Sequence, residues 1–485
     1  MMDQATIAAI ATPQGSAGVG IIRISGADAI RIAMHLFTRS KSHADVFCSH
    51  VSLVDPNSGH PSQTLTGTKY FQSHHMYHGF IKNPDKDTLI DEVLIVFMKA
   101  PHSYTAEDVV EIQAHASPLV LQSILKLVLL QGARLADPGE FTRRAYLNGR
   151  LDLTQAEAVI DIINARSERA LDIALSQIQG GLKSRIEFAR NKLFDFLAEI
   201  EAAIDFPDDV ADITLPSENH QKLQSSVYLP LQHLIDNYDS GRCLREGFQL
   251  VIAGAPNVGK SSLMNLLINK ERSIVTDIPG TTRDLIEDSF YLNGIPLVLT
   301  DTAGLRETDD PVECIGVQKA REHIKHSDLI LFMIDASIGI TPQDFYIFED
   351  LKHSNLILVF NKMDLIDSLV DIQLPNELQS MAQVKISALH QEGLDDLKQR
   401  IIEFITSTLP DRQETIIPNL RHKTALEKAL KAVTSILESL RCSSPLYELM
   451  AIDAQEAIDK LDEILGTTVK IDVLDNIFQN FCIGK

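Results

Sequence analysis

Long apolar runs are missing from this 485-residue chain. A membrane-spanning helix needs about 18 or more consecutive apolar residues. The longest stretches here, such as Leu329 to Ile334, are strand-sized and bounded by polar residues. The opening Met-Met-Asp-Gln-Ala-Thr has no basic start and no apolar segment after it, so no secretory signal is expected. Cysteine is also scarce. Cys48, Cys243, Cys314, Cys442 and Cys482 are scattered, odd in number and form no Cys-x-x-Cys or Cys/His cluster. Neither a disulfide framework nor a zinc site is expected, and a reducing cytoplasm fits. Positive charge is short as well: 44 Lys and Arg face 66 Asp and Glu, a net charge of −22. A nucleic-acid partner therefore needs a local basic patch, because the general field repels it.

What is present reads as a soluble multidomain protein, α/β plus α. At about 100–200 residues per domain the length predicts roughly three domains. Gly18 to Ser25 and Glu92 to Phe97 are short, β-branched and apolar, and predict strands in an N-terminal α+β region. Between them residues 40–88 have little periodicity and predict a long loop, with room for a short strand pair. Its histidines (His43, His50, His60, His74, His75 and His78) match no ligand spacing, which favours a solvated loop over a metal site.

Leu171, Leu175, Ile178, Leu182, Ile186, Ala189, Leu193, Phe196, Ile200 and Ile204 step by three or four and predict one long helical stripe. Gly180-Gly181 weakens it, and Pro207 with Asp208 and Asp209 ends it. The same stepping returns at Leu426, Leu430, Val433, Leu437 and Leu440. Between these helical regions lies a block that alternates strand and helix. The expected division is 1–120, an α+β region; 121–245 and 409–485, a discontinuous helical domain; and 246–408, an inserted α/β domain. From Arg143 to Arg190, Arg143, Arg144, Arg150, Arg166, Arg169, Lys183, Arg185 and Arg190 stand against Asp152, Glu157, Asp161, Glu168, Asp172 and Glu187. That balance fits a helix surface of mixed charge better than a tRNA or phosphate face.

The inserted block carries the chemistry. Gly254-Ala-Pro-Asn-Val-Gly-Lys-Ser261 follows the strand-like Phe248 to Ala253 and opens a helix, the form of a phosphate loop. Its glycines let backbone N–H groups wrap the phosphates, with Lys260 on the β- and γ-phosphates and Ser261 on magnesium. Downstream, Gly280-Thr-Thr-Arg-Asp284 offers Thr282 to complete the magnesium shell. Leu285 to Leu292, Asn293-Gly294 and Ile295 to Thr300 predict a hairpin. It delivers Asp301, Thr302, Ala303 and Gly304 to the phosphate end. Asn361-Lys362-Met-Asp364 follows a buried strand, and the Asp364 carboxylate can accept from guanine N1 and N2, a donor pair adenine lacks. Ser387-Ala388-Leu389 is the candidate second loop under the base. Ras-like domains place a water-orienting Gln where this chain has Leu305. Glu307, Asp309, Asp310 and Glu313 follow, and the motif alone does not choose among them.

Together with two further sets of motifs, these residues resemble the MnmE (TrmE) family, a branch of the TrmE-Era-EngA-like GTPases. The resemblance runs through Thr6 to Gly26 (with ATPxGxxGVGIIRISG), SYTAEDVVEIQAH from Ser103 to His115, and PGEFTRRAYLNGRLDL from Pro138 to Leu153. It continues through Ala202 to Pro207 and the final Phe481-Cys-Ile-Gly-Lys485. It implies a Ras-like P-loop GTPase domain inserted in a helical domain, behind an N-terminal folate-binding-like dimerisation domain. The implied GTP contacts are Asn257, Val258, Gly259, Lys260, Ser261, Ser262, Thr276, Asp277, Ile278, Pro279, Gly280, Thr281 and Thr282. Asp301 to Gly304, Asn361, Lys362, Asp364 and Ser387 to Leu389 complete them. It also implies potassium held by Asn257, Thr281 and the carbonyls of Thr276 and Ile278, and it selects Glu313 to position the attacking water.

The resemblance further implies 5-formyltetrahydrofolate, or a related folate, on Arg23, Glu111, Arg150 and Lys485, and a role for Cys482 in the modification reaction. The implied activity is potassium-dependent GTP hydrolysis. It is coupled to adding a carboxymethylaminomethyl or aminomethyl group at carbon 5 of the tRNA wobble uridine. A homodimer would act with an FAD-dependent partner (MnmG, or GidA) as a heterotetramer on tRNA, in the cytoplasm. Arg150 stands where lysine is usual, and the segment between Gly26 and Ser103 is longer than the family's connection. Ala106, Ala114, Ala116 and Ser117 replace Gly, Cys, Gly and Gly. Where such a glycine needs φ > 0, its replacement costs about 1 kcal/mol. A GTP-controlled ribosome-assembly switch is the alternative; such a switch has no need of a terminal Cys-Ile-Gly-Lys.

Overall fold

The computed structural model describes residues 5–13, 15, 17–39, 71–165, 167–205, 216–271, 288–293, 295–301, 327–366, 376–379, 381–408, 415–442, 445–469 and 471–485. These fall into two compact units. Pro207, Asp208, Asp209, His43, His50, His60, Cys48, Cys314 and Arg166 lie outside the described residues. Among those described, no helix is long and apolar enough to cross a membrane.

The first unit is built on a seven-stranded sheet. Its strands are β1 (Ile7–Ile10), β2 (Ala17–Ser25), β3 (Phe37–Thr38), β4 (Met76–Asn83), β5 (Thr88–Met98), β6 (Val109–Ala116) and β7 (Arg134–Leu135). The order is β3-β4-β5-β6-β2-β1-β7, antiparallel except for the parallel pair β1–β7. Helices α1 (Ala29–Leu36) and α2 (Pro118–Leu130) carry Ile32, Leu36, Leu121, Ile124 and Val128 into one core with Ile22, Ile24, Ile95, Phe97, Val110 and Ile112. Two sequence expectations shift here. The sheet unit runs past residue 120, because α2 covers the sheet and β7 pairs with β1. His78 lies in β4 rather than a loop, with its ring on the Glu92 carboxylate at 2.7 Å.

Next come α3 (Glu140–Leu147) and α4 (Leu153–Asn164); the helix Ile471–Gln479 belongs to the same unit. Leu153, Ala156, Leu474, Phe478 and Phe481 form one buried cluster. The chain enters α3 through Gly139 at φ +68, where a Cβ would meet the Phe478 carbonyl at 2.6 Å. Only glycine permits both that backbone and that approach. Beneath α3, the Arg144 guanidinium reaches Glu140 at 2.9 Å, Glu107 at 3.1 Å and the Ala5 carbonyl at 2.8 Å. Arg134 donates to both Glu140 carboxylate oxygens, at 2.6 and 2.8 Å.

The second unit combines helices from both flanks with the inserted sheet. Its helices begin with α5 (Glu168–Ile178), α6 (Gly181–Asp205), α7 (Pro216–Leu223) and α8 (Leu229–Glu246). After the sheet follow α12 (Leu420–Ser439) and α13 (Tyr447–Leu465). Gly180, at φ +86, separates α5 from α6, so the long stripe is two helices. From Leu182 to Ile200 the stripe is buried as expected. In α5, Ala170, Ile173, Ala174 and Gln177 are buried instead, and Leu171 and Leu175 are exposed. Of the basic residues from Arg143 to Arg190, Arg143, Arg144, Lys183 and Arg190 pair with carboxylates, the mixed-charge arrangement.

The inserted sheet holds β8 (Phe248–Gly254), β9 (Asp288–Leu292), β10 (Ile295–Asp301), β11 (Leu329–Asp335), β12 (Leu356–Asn361) and β13 (Ala382–Lys385). Its order is β13-β12-β11-β8-β10-β9, parallel but for the β9–β10 hairpin. Asn293 in that hairpin turn takes φ +51, as the Asn-Gly signal requires. Every residue of β11 is buried, with Leu331 and Met333 in one core and Ile330, Phe332 and Ile334 in the other. Helices α9 (Lys260–Glu271), α10 (Pro342–Leu351) and α11 (Leu394–Thr408) cover the two faces. A parallel sheet wound this way binds ligands at the carboxyl ends of its central strands, where the order reverses.

Burial pushes the Glu140 carboxyl up, but hydrogen bonds from Arg134, the Asp137 N–H and Arg144 outweigh it and hold it below 4.5. Its contribution to stability is therefore full above that value and is lost as pH falls through the lower folded value. Urea unfolding at falling pH should show a steeper acid loss for the wild type than for Glu140→Gln; equal slopes would remove Glu140 as the cause.

Candidate functional site

The carboxyl ends of β8 and β12 bring the nucleotide motifs together. Gly254 ends β8, and the loop to α9 passes through Asn257 at φ +64 and Gly259 at φ +106. Both positions are left-handed, so successive N–H groups turn inward as an anion-binding nest. The Lys260 ammonium donates to the Gly254 and Ala255 carbonyls at 3.0 and 2.9 Å. Ser261 and Ser262 are exposed in the first turn of α9, where the helix dipole favours an anion.

Asn361 holds this loop in place. Its buried amide donates to the Val258 carbonyl at 2.7 Å and accepts from the Ala388 N–H at 2.9 Å. One side chain thus ties the phosphate loop to the 387–389 loop. Gly259 is required beside it, since a Cβ there would overlap the Asn361 amide. Lys362 turns away at φ +65 and pairs with Asp335 at 2.6 Å. Burial raises the Asp335 carboxyl, but hydrogen bonds from Lys362 and Ser337 dominate and hold it below the usual carboxylate range. The Ser387 hydroxyl donates to Asp364 at 2.6 Å, which keeps that carboxyl ionised and oriented. Leu389 is exposed beyond it.

Thr276, Asp277, Ile278, Pro279, Gly280, Thr281 and Thr282 lie outside the described residues, as do Thr302, Ala303, Gly304, Leu305, Glu307, Asp309, Asp310 and Glu313. Asp301 ends β10, adjacent to Ile252 of β8. The described donors fit magnesium and a guanine nucleotide: an inward-turned N–H loop, a lysine over it, an exposed serine hydroxyl and an ionised carboxylate held by serine. Asp335 was not singled out in the sequence, although it closes the apolar strand Leu329 to Ile334 just before a turn.

The first unit collects a second set. Arg23 in β2 donates through Nε to Glu111 in β6 at 2.8 Å and through Nη1 to the Gly484 carbonyl at 3.1 Å. The segment 481–485 is docked: the Gly139 and Phe141 N–H groups donate to the Cys482 and Lys485 carbonyls at 3.5 and 3.2 Å. Burial and the nearby Arg23 push the Lys485 ammonium below its ordinary value. Cys482 is exposed. Arg150 donates to the Tyr104 carbonyl at 2.6 Å. The sequence argument missed Tyr104 and Phe141, whose rings lie under the Arg23 guanidinium at 5.2 and 5.6 Å. Of the altered positions nearby, Ala106 has φ +59, whereas Ala114 and Ala116 lie in β6 and Ser117 has φ −77. The expected backbone cost falls on Ala106 alone.

A phosphate loop at the switch point of a parallel sheet, facing an Asn-Lys-x-Asp carboxylate and a Ser-Ala loop, defines the class: a P-loop guanine-nucleotide-binding protein. The family model "GTP-binding protein TrmE N-terminus" matches residues 6–150, and "MnmE helical domain" matches residues 153–482. The tRNA modification GTPase MnmE of Desulfotalea psychrophila is 43% identical over 100% of this chain and 99% of its own. That of Alkaliphilus metalliredigens is 41% identical over 99% of both. The chain belongs to the MnmE (TrmE) family. Among solved structures, Aquifex aeolicus Era bound to GDP.AlF4- is 28% identical and covers 41% of this chain and 69% of that one, with a TM-score of 0.26.

Removing the Asn361 amide leaves two loops unjoined, at about 0.5–1.5 kcal/mol for each hydrogen bond. Asn361→Ala should weaken GDP binding by about ten- to a hundredfold in a fluorescent-nucleotide titration. Asp364→Ala leaves that clamp intact and should instead lose the preference for guanine over adenine nucleotides. Wild-type affinity in Asn361→Ala would show that the loops hold their places without it.

Proposed function

We propose that this chain is a potassium-dependent GTPase that hydrolyses GTP to GDP and phosphate in the service of tRNA wobble-uridine modification. With an FAD-dependent partner of the MnmG (GidA) type, a homodimer would act in a heterotetramer. The product would be a carboxymethylaminomethyl or aminomethyl group at carbon 5. The Asn361 clamp, which joins a phosphate loop to the loop beside the guanine-reading Asp364, carries the GTPase part. Likeness over the whole chain to tRNA modification GTPases supports the modification part.

In this reading 246–408 is the GTPase domain, inserted between the helices α5 to α8 and α12 to α13 and preceded by a folate-binding-like sheet unit that takes in α2 and β7. The phosphate-loop N–H groups and Lys260 bind the β- and γ-phosphates, and Asp364 with Ser387 selects guanine. Glu313 positions the water that attacks the γ-phosphorus, and Leu305 takes no part. Ser261 and Thr282 would hold magnesium, and Asn257, Thr281 and the carbonyls of Thr276 and Ile278 would hold potassium; bound there, the ions would supply positive charge to the phosphates. In the first unit, Arg23, Glu111, Arg150 and Lys485 hold a folate: a cation pairs with its glutamyl carboxylate, and Glu111, tied to Arg23, accepts from its pterin N–H groups. Cys482, exposed beside them, serves the modification step.

Bulk tRNA from cells lacking the protein should lose its carbon-5-substituted wobble uridines by liquid chromatography and mass spectrometry. An unchanged profile overturns the modification reading and favours the ribosome-assembly switch. GTP turnover should be far faster in potassium chloride than in sodium chloride. Glu313→Ala should abolish most of it while nucleotide affinity stays near wild type. Equal rates in the two salts would sink potassium dependence, and normal turnover in the variant would return Glu313 to the surface acids.

A further inference from the structure

At the base end of the inserted sheet, two carboxylates flank one lysine. β12 lies between β11 and β13, and its last residue, Asn361, is in register with Asp335 at the end of β11. The next residue, Lys362, takes φ +65, which ends the strand and opens the turn Met363–Leu365. From there the charges go to opposite neighbours. The Lys362 ammonium goes to the β11 side and donates to Asp335 Oδ2 at 2.6 Å. The Asp364 carboxylate goes to the β13 side, where the Ser387 hydroxyl donates to it at 2.6 Å.

Asp335 is itself held rigidly. It is buried, and its other oxygen, Oδ1, accepts from the Ser337 N–H at 3.0 Å and the Ser337 hydroxyl at 2.6 Å. Its backbone is fixed as well, since the Ala336 N–H donates to the Asn361 carbonyl at 2.9 Å. Attraction between opposite charges strengthens as water is excluded, so buried Asp335 outcompetes exposed Asp364 for the lysine. Asp364 is held below the usual carboxylate range chiefly by the Ser387 hydrogen bond, and the Lys362 charge adds to this from where it stands. Released from Asp335, the same ammonium has a second carboxylate two positions along the chain. There it competes with guanine, because a charged donor binds a carboxylate more strongly than the neutral N1 and N2 donors of a base.

We propose that Asp335 is a positioning residue for guanine recognition: it takes up the Lys362 ammonium, which leaves the Asp364 carboxylate free for the donor pair of the base. This rests on the guanine reading of Asp364 above and adds to it the residue that keeps the reader unoccupied. The charge of Asp335, rather than its shape, does the holding. Asparagine keeps an oxygen for Ser337 but turns an amide, itself a donor, toward the ammonium.

The test displaces a fluorescent guanine nucleotide from the full-length chain with GDP and with ADP, whose base has no donor pair for Asp364. The proteins are the wild type, Asp335→Asn, Lys362→Met and the double variant. Asp335→Asn should lose about fivefold in GDP affinity, the size of an exposed ion pair, and nothing in ADP affinity. With the ammonium gone in Lys362→Met, adding Asp335→Asn should cost nothing further. Should Asp335→Asn fail to fold, Ser337→Ala, which loosens the same carboxylate, should show a smaller loss for GDP alone. Equal loss for both nucleotides, or the same fivefold loss in the Lys362→Met background, makes Asp335 merely structural and overturns the proposal. So does wild-type GDP affinity in Asp335→Asn. An Asp364→Ala variant that still prefers GDP to ADP overturns the guanine reading, and the proposal with it.

Discussion

The nucleotide site depends on one buried side-chain amide. A phosphate loop must bring several backbone N–H groups to face the same point, a conformation with no regular hydrogen-bond ladder of its own. Asn361 supplies the missing partners, one donor to Val258 and one acceptor for Ala388, from the end of a strand buried on both sides. Because β12 is locked between β11 and β13, the amide sits at a fixed height and sets both loops at once. Lys362 and Asp364 then inherit their places. The left-handed turn at Lys362 throws its ammonium onto Asp335 and leaves Asp364 under the Ser387 hydroxyl.

The first unit solves a different problem, that of keeping charges in a half-buried place. Under α3, arginines and carboxylates alternate, so that Arg144 faces Glu140 and Glu107 while Arg134 faces Glu140. Every charge has an opposite within hydrogen-bonding reach, which makes burial tolerable. At the Arg23 end three cations, Arg23, Arg150 and Lys485, gather near Glu111 and the Lys485 main-chain carboxylate, and aromatic rings lie against the two guanidinium groups.

The places where sequence reasoning held and failed follow from how local each signal is. The Asn293 turn and the phosphate loop use residues a few positions apart, and their conformations appear as their chemistry demands. The α5 stripe failed because it assumed an unbroken helix. Gly180 resets the phase, and small Ala170 and Ala174 allow a close approach that leaves Leu171 and Leu175 outside. The two-residue β7 was illegible because so short a strand has no periodicity; it exists only where β1 offers an open edge. His78 looked like loop because residues 40–88 as a whole show little periodicity, yet it stands exposed on a sheet strand, paired to Glu92.

By itself the sequence determined the class of chemistry: a phosphate loop, a guanine-reading carboxylate and the family to which the chain belongs. Phosphate and base are recognised by short contiguous segments whose spacing is visible in one dimension. Only the tertiary structure decided which groups complete them. Asn361 meets Val258 across 103 positions, and Arg23 meets Gly484 across 461. Such pairings depend on how sheets and helices pack, which no local spacing encodes. A side chain's chemistry is written at its own position, but its partner is chosen by the fold.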